Sequence, residues 1–422
     1  MNRRKTGIVG GGASGLMAAV AAAERGGEEI FVLEKKERIG KKILATGNGR
    51  CNLTNLSFEM DRLEEYYHGA SARQLRTLFS CFSPKDTLSL FRKMGMLTVS
   101  REGYVYPLSG QASTVLDTLR FRLERKGVWT RTECGISGIE PLKRGGFLVS
   151  CGDEKQRFDR LILACGSPAG LKNGDGMDGY RLAASLGHTV IPPQPALTAL
   201  RCDGNFWKGL AGVRCNASIR LFVGKASGSG GLSEYEEEGE LQLTDYGISG
   251  IPVFQLSRHA SRALAEGKRV SARIDFLPAF TGSKEEYGRF VKERIDAFCR
   301  CPMEMLFCGL VNKKIILTLL KQNDLRPQDA VEQKNEQAIL RVFGQLRAFS
   351  VQVKEANPFP LAQVCSGGVP LCEVTERMES RKHPGLYFAG ELLDVDGRCG
   401  GYNLQWAWTS GYLAGRGQEG PA

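Results

Sequence analysis

A chain of 422 residues is longer than one ordinary domain, so we expect two or three folded units. Hydrophobic residues make up 42% and charged residues 24%, a balance that is typical of globular proteins and excludes a disordered chain. No run of 18 apolar residues occurs, so no membrane span is expected, and the net charge of +11 favours anionic small molecules as ligands. Nucleic acid is not expected as a partner, because the basic residues are dispersed.

The 13 cysteines are scattered without any CxxC pair, which excludes a zinc site of ordinary spacing. We predict no metal site, and we expect the cysteines to be reduced thiols that lie mostly in the core. The basic N-terminal stretch MNRRK is followed by glycines rather than by an apolar segment with a cleavage site. We therefore expect a cytoplasmic protein.

The first elements are predicted as strand, glycine turn, helix and strand. They are TGIVGGG (6–12), ASGLMAAVAAAERGG (13–27, with the helix ending at the glycine pair) and EIFVLEK (29–35). Glycines at positions 10, 12 and 15 form the GxGxxG pattern between strand and helix, the context that a dinucleotide-binding fingerprint requires. The first permits a tight turn, the second lets the backbone approach a pyrophosphate, and the third lets helix and strand pack closely. Glu34, 19 residues after Gly15, can accept hydrogen bonds from ribose hydroxyls.

The middle of this first region is predicted to be helical and then β-rich. Residues 72–126 are expected to form helices, interrupted by a hairpin at LTVSREGYVYP (97–107). Strands are then predicted within VWTRTECGISGIEPL (128–142), GFLVSCG (146–152) and RLILACGS (160–167).

A domain boundary is predicted at IPPQPAL, with the first domain ending at 194. Alternating apolar and polar residues then favour a β-rich unit over 195–283, interrupted by an acidic hairpin or loop at GKASGSGGLSEYEEEGE (224–240). Amphipathic helices are predicted in a unit spanning 284–355, and strand and glycine signals return over 356–422.

Glycines at the ends of later strands distinguish between FAD and NAD as the cofactor. The strand LILACG leads to Gly166, the strand GLYFAGE leads to Gly390 and Glu391, and Gly400-Gly401 opens a further helix. A second helix N-terminus would therefore be directed at the cofactor. Because FAD is long and needs contacts spread over the chain, this pattern favours FAD.

Four segments resemble the signatures of a bacterial family of FAD-binding oxidoreductases. They are ILATGNGRCNLTN (43–55), LTDYGISGIPVFQLS (243–257), TERMESRKHPGLYFAGELLDVDG (375–397) and CGGYNLQWAWTSGYLAG (399–415). The similarity extends over the whole chain. Two positions depart from the family pattern: Asp245 stands where a histidine is common, and Arg381 where a lysine is usual. The first of these leaves the identity of the substrate open.

The resemblance implies an α/β fold in which a discontinuous, Rossmann-like FAD-binding domain (1–194 and 356–422) encloses the β-rich and helical units. It implies non-covalent FAD, with the pyrophosphate at Gly10, Gly12, Ala13, Ser14 and Gly15 and the adenosine ribose at Glu34. Cations and amides along the ribityl chain and flavin can stabilise negative charge there. These residues are Lys41, Lys42, Asn48, Gly49, Arg50, Cys51 and Asn52. The opposite side is assigned to Asp394, Gly401, Tyr402, Asn403 and Leu404, and further contacts to Lys35, Ile136, Ala164, Gly166, Gly390, Glu391 and Gly400.

The family includes an aminoacetone oxidase and a bile-acid reductase of gut anaerobes, so the resemblance leaves several reactions open. The first is NAD(P)H-dependent reduction of a carbon–carbon double bond conjugated to a 3-oxo group in an anionic, bile-acid or steroid-like substrate. The second is oxidation of a small primary amine such as aminoacetone, and the third is an RNA- or partner-binding role. No second GxGxxG directly follows a predicted strand as a nicotinamide-binding fingerprint would, so a nicotinamide would have to reach the flavin directly.

The sequence assigns no catalytic residue and no oligomeric state. No Ser/His/Asp order or paired-carboxylate motif appears, and the chain has only four histidines. Tyr104 and Tyr106 are possible proton donors, although aromatic residues in a hairpin more often serve packing, and His188 is expected to be structural.

Overall fold

The structure, a computed structural model, describes residues 3–171, 175–224, 233–332 and 335–417. The chain divides into two compact units. The first contains Met1–Pro193 and Val364–Ala422, and the second contains Gln194–Gln363. The second unit therefore holds both the β-rich and the helical segments that the sequence predicts.

The first unit opens with the predicted strand–turn–helix–strand sequence. These elements are β1 (Arg4–Val9), α1 (Ala13–Arg25) and β2 (Glu28–Leu33). β1 and β2 pair in parallel, with Thr6 opposite Ile30. The alanines of α1 are small and mostly fully buried, which lets other backbone segments approach the helix closely. The helix ends before Gly26, whose φ of +76° favours glycine.

The next segment contains helices and one small sheet. Its elements are α2 (Lys41–Ala45), β3 (Thr54–Asn55), α3 (Leu63–Tyr66), β4 (Tyr67–His68), α4 (Ala72–Cys81), α5 (Pro84–Lys93), β5 (Thr98–Arg101), β6 (Tyr104–Pro107) and α6 (Ala112–Arg125). A short 3-10 helix, Thr46–Gly49, follows α2. The predicted hairpin is formed by β5 and β6, and β3 adds a third strand beside β6. Ser71 and Ser83 begin α4 and α5 with capping boxes, which explains where these two helices start.

Six further strands and one helix complete the first pass through this unit. They are β7 (Trp129–Arg131), β8 (Ile136–Pro141), β9 (Phe147–Cys151), β10 (Glu154–Phe158), β11 (Arg160–Leu163), α7 (Asp178–Ser185) and β12 (Ile191–Ala196). β8, β9 and β10 form an antiparallel sheet, in which β8 and β9 lie in segments that the sequence predicts as strands and β10 was not predicted.

The cysteines differ from the sequence-based expectation. The antiparallel pairing of β8 and β9 places the Cα atoms of Cys134 and Cys151 5.7 Å apart, and the two residues form a disulfide. The expectation that all thiols are reduced is therefore wrong for this pair, because a separation of 17 residues gives no sign of the pairing. Cys51, Cys134, Cys202 and Cys365 are buried, and Cys151, Cys165 and Cys215 are partly buried against a hydrophobic core, so seven of the 13 cysteines lie in or against a core.

The second unit is built on a closed six-stranded barrel. Its elements are β13 (Leu200–Cys202), α8 (Trp207–Leu210), β14 (Arg214–Gly224), β15 (Ser233–Leu243), β16 (Gly247–Gly250), α9 (Ile251–Ala265), β17 (Arg269–Asp275), α10 (Lys284–Ala297), α11 (Met303–Phe307), α12 (Lys313–Gln322), α13 (Glu336–Arg347) and β18 (Phe349–Ala356). The strand order is β13-β16-β15-β14-β17-β18, with β13 also paired to β18. Residues 225–232 of the predicted acidic hairpin or loop lie outside the described residues.

Two features of this unit depart from the sequence-based expectation. The helix α9, which was not predicted, lies in the segment that was expected to be β-rich, and its residues Val253, Leu256, Ala260 and Ala263 are buried at helical spacing. The barrel is completed by β18, which follows the helices α10 to α13 in the chain. The predicted boundary at 283/284 therefore passes through one unit, because barrel closure needs a strand from each side of it.

The chain returns to the first unit with β19 (Val364–Gly368), β20 (Leu386–Phe388), β21 (Asp396–Gly397) and α14 (Tyr402–Arg416). The central sheet has the order β20-β11-β1-β2-β7, and every pair in it is parallel. β2, the next strand of this sheet in the chain, lies on one side of β1, and the later strands β11 and β20 lie on the other side. The strand order therefore reverses at β1. Ligands of open α/β sheets bind at such a switch point, beside the carboxyl ends of the strands. The predicted Rossmann-like α/β fold is confirmed.

Within the described ranges, no helix is long and apolar enough to cross a membrane.

Candidate functional site

The glycine turn lies at the carboxyl end of β1, at the switch point of the sheet. Gly10 has a φ of +108°, and a Cβ there would collide with the carbonyl of Ala164, which follows β11. A Cβ at Gly15 would collide with the carbonyl oxygen of Gly10. A Cβ at Gly12 would meet no atom within 4 Å. The outer two glycines are thus required by packing, whereas Gly12 borders open space of the kind that a pyrophosphate needs.

Glu34 connects the end of β2 to this turn. One carboxylate oxygen accepts the backbone N–H of Gly11 at 2.7 Å, and the other accepts the N–H of Lys36 at 2.9 Å. A carboxylate has about four acceptor positions, so both oxygens retain capacity for ribose hydroxyls. The backbone N–H of Cys134 also bonds to the carbonyl of Glu34, which brings the start of β8, and with it Ile136, towards this strand end. Sequence reasoning did not identify Gly11 as the partner of Glu34.

A second group of predicted residues converges at the end of β20. Lys42 donates to a carboxylate oxygen of Glu391 at 2.6 Å, and the Ser167 hydroxyl donates to the same oxygen at 3.1 Å. The neighbouring Gly390 lies against Ser14 of α1, and its N–H bonds to Ser410 of α14 at 2.9 Å. Glu391 therefore holds Lys42 in place with one oxygen. Ser167 was not predicted, and only the fold brings it to Glu391.

The loop after α2 comes close to the start of α14. Gly401, with a φ of +95°, precedes α14, and a Cβ there would lie 2.9 Å from the Oδ1 atom of Asn52. That Oδ1 atom is buried and has no hydrogen-bond partner in the part of the chain that the structure describes. In the same loop, Cys51 is buried with a φ of +59°, and burial raises the pKa of its thiol to about 11. Cys51 is thus a neutral packing residue at neutral pH.

Arg50, Asn48 and Gly49 are exposed parts of this loop. The Arg50 guanidinium lies 5.2 Å from the ring centroid of Tyr106 on β6. Gly400 lies against the ring of Tyr104, and its carbonyl accepts the side-chain amide of Asn55 at 2.9 Å.

Several predicted residues are engaged by other parts of the protein. Lys35 pairs with Asp178 at 2.7 Å and Asp175 at 3.3 Å, and Lys41 pairs with Glu37 at 2.8 Å on the surface. The side chain of Asn403 exchanges two hydrogen bonds with the backbone of Gly397, at 2.7 and 2.8 Å. These side chains have partners within the protein, so any cofactor contact from Asn403 would come from its backbone.

The remaining predicted residues near the start of α14 are largely buried. Asp394 accepts the N–H of Gly367 at 2.8 Å, and the ring of Tyr402 stacks on that of Tyr66 with centroids 5.0 Å apart. Burial raises the pKa of Tyr402 to about 12, so its hydroxyl is protonated at neutral pH. Leu404 is partly buried against the core. Gly166, with a φ of +71°, borders open space after β11, and Ala13 is the first residue of α1.

A Ser–His–Glu arrangement lies away from the glycine turn in the same unit. The ring of His188 is 2.6 Å from Glu373 through Nδ1 and 2.9 Å from the Ser380 hydroxyl through Nε2. The Ser380 oxygen also accepts the backbone N–H groups of Lys382 and His383 at 3.0 and 2.9 Å. These bonds occupy the serine oxygen, so the arrangement serves to hold the chain segments together rather than to supply a nucleophile.

The residues present fit a bound dinucleotide. Neither α1 nor α14 has a side chain that caps its N-terminus, so the first N–H groups of both helices are available to a ligand. The open space at Gly12 and the unpartnered Asn52 oxygen are further features that a ligand would satisfy. In the described ranges, no group of three or more His, Cys, Asp or Glu residues could hold a metal ion. Fold and site together define a doubly wound, dinucleotide-binding protein.

Comparison with known proteins gives the family. The family model described as "HI0933-like protein Rossmann domain" matches residues 4–417. The chain is 42% identical over 421 residues to the 3-dehydro-bile acid delta(4,6)-reductase of Clostridium scindens, covering 99% of this chain and 98% of that protein. The ribosomal RNA dihydrouridine synthases of Haemophilus influenzae and Escherichia coli are each 26% identical over 96% of this chain, and 96% and 95% of their own lengths are covered. The chain belongs to the HI0933-like family, and the FAD-binding oxidoreductase family predicted from its motifs is confirmed.

Two solved structures share the fold. They are a 3-ketosteroid-delta4-(5alpha)-dehydrogenase from Rhodococcus jostii RHA1 (TM-score 0.50, 14% identity, 98% of this chain and 96% of that chain) and a 3-ketosteroid delta1-dehydrogenase from Sterolibacterium denitrificans (TM-score 0.52, 11% identity, 97% and 98%).

Proposed function

We propose that this protein is an FAD-dependent oxidoreductase that uses NAD(P)H to reduce a carbon–carbon double bond conjugated to the 3-oxo group of an anionic, bile-acid or steroid-like substrate. The observation that carries the cofactor assignment is the open glycine turn at the switch point of the parallel sheet. The substrate class is supported by 42% identity, over nearly the whole chain, to a reductase of 3-dehydro-bile acids.

The relatives' names describe one kind of reaction. Dihydrouridine differs from uridine by saturation of a double bond that is conjugated to a carbonyl group. Both the bile-acid reductase and the two dihydrouridine synthases are therefore named for saturating such a bond. This agreement supports reduction of a conjugated double bond as the reaction class, while the higher identity to the reductase favours the steroid-like substrate.

The residues that would hold FAD are distributed along the carboxyl edge of the sheet. The turn from Gly10 to Gly15 and the N-terminus of α1 would hold the pyrophosphate, where the helix dipole favours negative charge. Glu34 orients the turn through Gly11 and would accept ribose hydroxyls. Asn52 and the N-terminus of α14 would contact the flavin end. When bound, FAD would supply the transfer of hydride between nicotinamide and substrate.

Two basic residues, Lys42 in α2 and Arg50 in the loop that follows α2, have separate roles. Lys42 is held by Glu391, whose carboxylate also accepts the Ser167 hydroxyl, and so presents a positioned cation. Arg50 forms no ion pair or hydrogen bond with any residue in the described ranges, and it is exposed. An unpaired, exposed cation suits an anionic substrate or nicotinamide.

An anaerobic half-reaction experiment tests the proposal. Purified holoprotein is mixed with NADH or NADPH while the flavin absorbance is followed, and it is then mixed with an unsaturated 3-oxo bile acid. We expect bleaching by one nicotinamide and recovery on addition of the enone, with formation of the saturated product. The matched control is the corresponding saturated 3-oxo bile acid, which should give no recovery.

The alternatives appear as different outcomes of the same experiment. Bleaching by aminoacetone, with none by either nicotinamide, would replace the reductase by an amine oxidase. Recovery with ribosomal RNA but not with the bile acid would indicate an RNA substrate. A protein that is purified without flavin and does not bind added FAD would contradict the cofactor assignment itself.

A further inference from the structure

Strand β6 carries two tyrosines on one face, and the structure gives them different surroundings. Tyr104 and Tyr106 are two residues apart and half-buried, whereas Val105 between them is buried on the opposite face. The ring of Tyr104 packs against Gly400, 2.8 Å from the position of a Cβ there. Tyr104 therefore supports the turn that leads into α14.

Tyr106 packs instead against the loop of residues 47–52. Its ring lies 3.9 Å from the Cβ position of Gly47, and the Arg50 guanidinium lies 5.2 Å from its ring centroid. The cation and the ring attract each other, so Arg50 holds the ring in place. Pairing of β3 with β6 fixes this arrangement, because the N–H of Leu53 bonds to the carbonyl of Val105 at 2.7 Å.

Three polar groups of this loop region have no hydrogen-bond partner among the described residues. They are the hydroxyl of Tyr106, the guanidinium of Arg50 and the Oδ1 atom of Asn52. Asn52 lies against Gly401 at the start of α14, where the flavin end of the cofactor is proposed. Tyr106 thus has a free hydroxyl and a neighbouring cation, and it packs against the loop that is proposed to contact the flavin. A phenol in such a position is suited to donate a proton.

We propose that Tyr106 is the catalytic acid of the reductase reaction, an inference that rests on the proposed function. Saturation of a conjugated double bond adds one hydride, which NAD(P)H supplies, to the β-carbon and one proton to the α-carbon. The Tyr106 O–H bond breaks as the new C–H bond forms at the α-carbon. The phenolate then regains a proton from water, and the nicotinamide, oxidised when it gave up the hydride, leaves as NAD(P)⁺. Arg50 offsets the negative charge that remains on the tyrosine until this proton arrives.

The test compares Tyr106→Phe with Tyr104→Phe, which removes a hydroxyl from the same face of the same strand. Three properties of each variant are measured first: FAD content, thermal midpoint and the rate of flavin bleaching by NAD(P)H. The recovery of flavin absorbance by the enone is then followed in H2O and D2O. We expect Tyr106→Phe to match the wild type in the first three measurements and to slow the recovery by about 100-fold or more, the range for loss of a general acid.

The solvent isotope effect on the recovery separates proton donation from packing. In the wild type and in Tyr104→Phe, recovery should slow in D2O, because the proton transfer is part of the step. Equal recovery rates in wild type and Tyr106→Phe would overturn the assignment, as would a slower recovery confined to Tyr104→Phe. A wild-type protein that no enone reoxidises would instead contradict the proposed function, so the two failures are distinguishable.

Discussion

At the scale of single residues, Glu34 shows how one side chain serves both the fold and the proposed cofactor. Its two oxygens accept the N–H groups of Gly11 and Lys36, so the carboxylate fixes the glycine turn before any ligand binds. A ribose at this position would meet oxygens that are already oriented. This preorganisation means that a change at Glu34 affects both the turn and the ligand.

Replacement of Glu34 by Gln should weaken FAD binding. The amide keeps one oxygen but presents an NH2 group to one of the two backbone donors, and it loses the charge. We expect a loss of about 1–2 kcal/mol, the range for a hydrogen bond to a charged group, which is roughly 5- to 30-fold in Kd. The measurement is a titration of apoprotein with FAD, and Glu37→Gln, at an exposed carboxylate paired with Lys41, is the control. Equal affinity in Glu34→Gln and wild type would contradict the assignment.

His188 is a second residue whose protonation should affect the molecule. Burial lowers the pKa of His188 below its ordinary 6.5, against the opposing effect of Glu373. Burial raises the pKa of Glu373, but hydrogen bonds from Thr189 and Lys382 outweigh it and lower the value to about 2. The folded state therefore holds a neutral imidazole and a charged carboxylate over the neutral range.

Stability should fall in two steps as the pH is lowered. Below about pH 6.5 the unfolded chain takes up a proton at this histidine before the folded chain does, and from about pH 4.5 towards pH 2 the same holds for Glu373. In His188→Gln the loss of unfolding free energy between pH 7.5 and pH 5.5 should be smaller, by no more than about 1.4 kcal/mol per pH unit below 6.5. Urea unfolding measures this. Wild type and variant should run parallel between pH 7.5 and 8.5, and an equal slope in both at lower pH would refute the prediction.

At the scale of elements, the β1–α1 turn separates glycines that the fold needs from one that only a ligand needs. Gly10 and Gly15 are surrounded by backbone, so a side chain at either position would displace the strand, the helix or β11. Gly12 has a φ of −84°, which any residue can adopt, and nothing lies within 4 Å of its Cβ position. Within six residues, the turn thus contains two glycines that packing requires and one glycine that only a bound ligand requires.

Two variants should separate these constraints. Gly12→Val should leave the thermal midpoint of the apoprotein nearly unchanged but abolish FAD binding, because the side chain enters the space assigned to the pyrophosphate. Gly15→Ala should lower the midpoint of the apoprotein itself, because its Cβ collides with Gly10. Calorimetry of apoproteins and flavin absorbance of purified holoproteins give the two readouts. Full flavin content in Gly12→Val would show that the phosphate lies elsewhere.

At the scale of the whole molecule, the two units each have their own hydrophobic core. The core of the second unit combines barrel residues such as Ile219 and Ala272 with helix residues such as Ile316 and Phe343. Its barrel closes within residues 194–363. A closed barrel leaves no unpaired strand edge, so this unit satisfies its backbone hydrogen bonds internally.

The fragment 194–363 should therefore fold by itself. We expect cooperative unfolding in urea by circular dichroism and no binding of FAD, since the parallel sheet belongs to the other unit. The matched control is a fragment 194–348, which lacks β18 and leaves the barrel open, and it should unfold without a cooperative transition. An unfolded long fragment, or two fragments of equal stability, would contradict this prediction.

The sequence by itself determined the local elements of the cofactor-binding unit. The strand, glycine turn and helix over residues 4–25 and the acid at Glu34 follow from short-range spacing, because φ preferences and apolar periodicity act over a few residues. The longer motifs determined the family. The local pattern also predicted a helical region over residues 72–126 and the β5–β6 hairpin within it. The division of that region into α4 and α5, each begun by a capping serine, was not predicted.

Only the tertiary structure decided which distant residues meet. Lys42 and Glu391 are 349 residues apart, and their ion pair depends on β20 lying in the same sheet as β1. The Cys134–Cys151 disulfide, the position of α9 and barrel closure by β18 were decided in the same way. Tyr104 and Tyr106 are equivalent in the sequence, and they differ because one packs on Gly400 and the other faces Arg50. Contacts of this kind depend on the path of the whole chain, which short-range spacing does not specify.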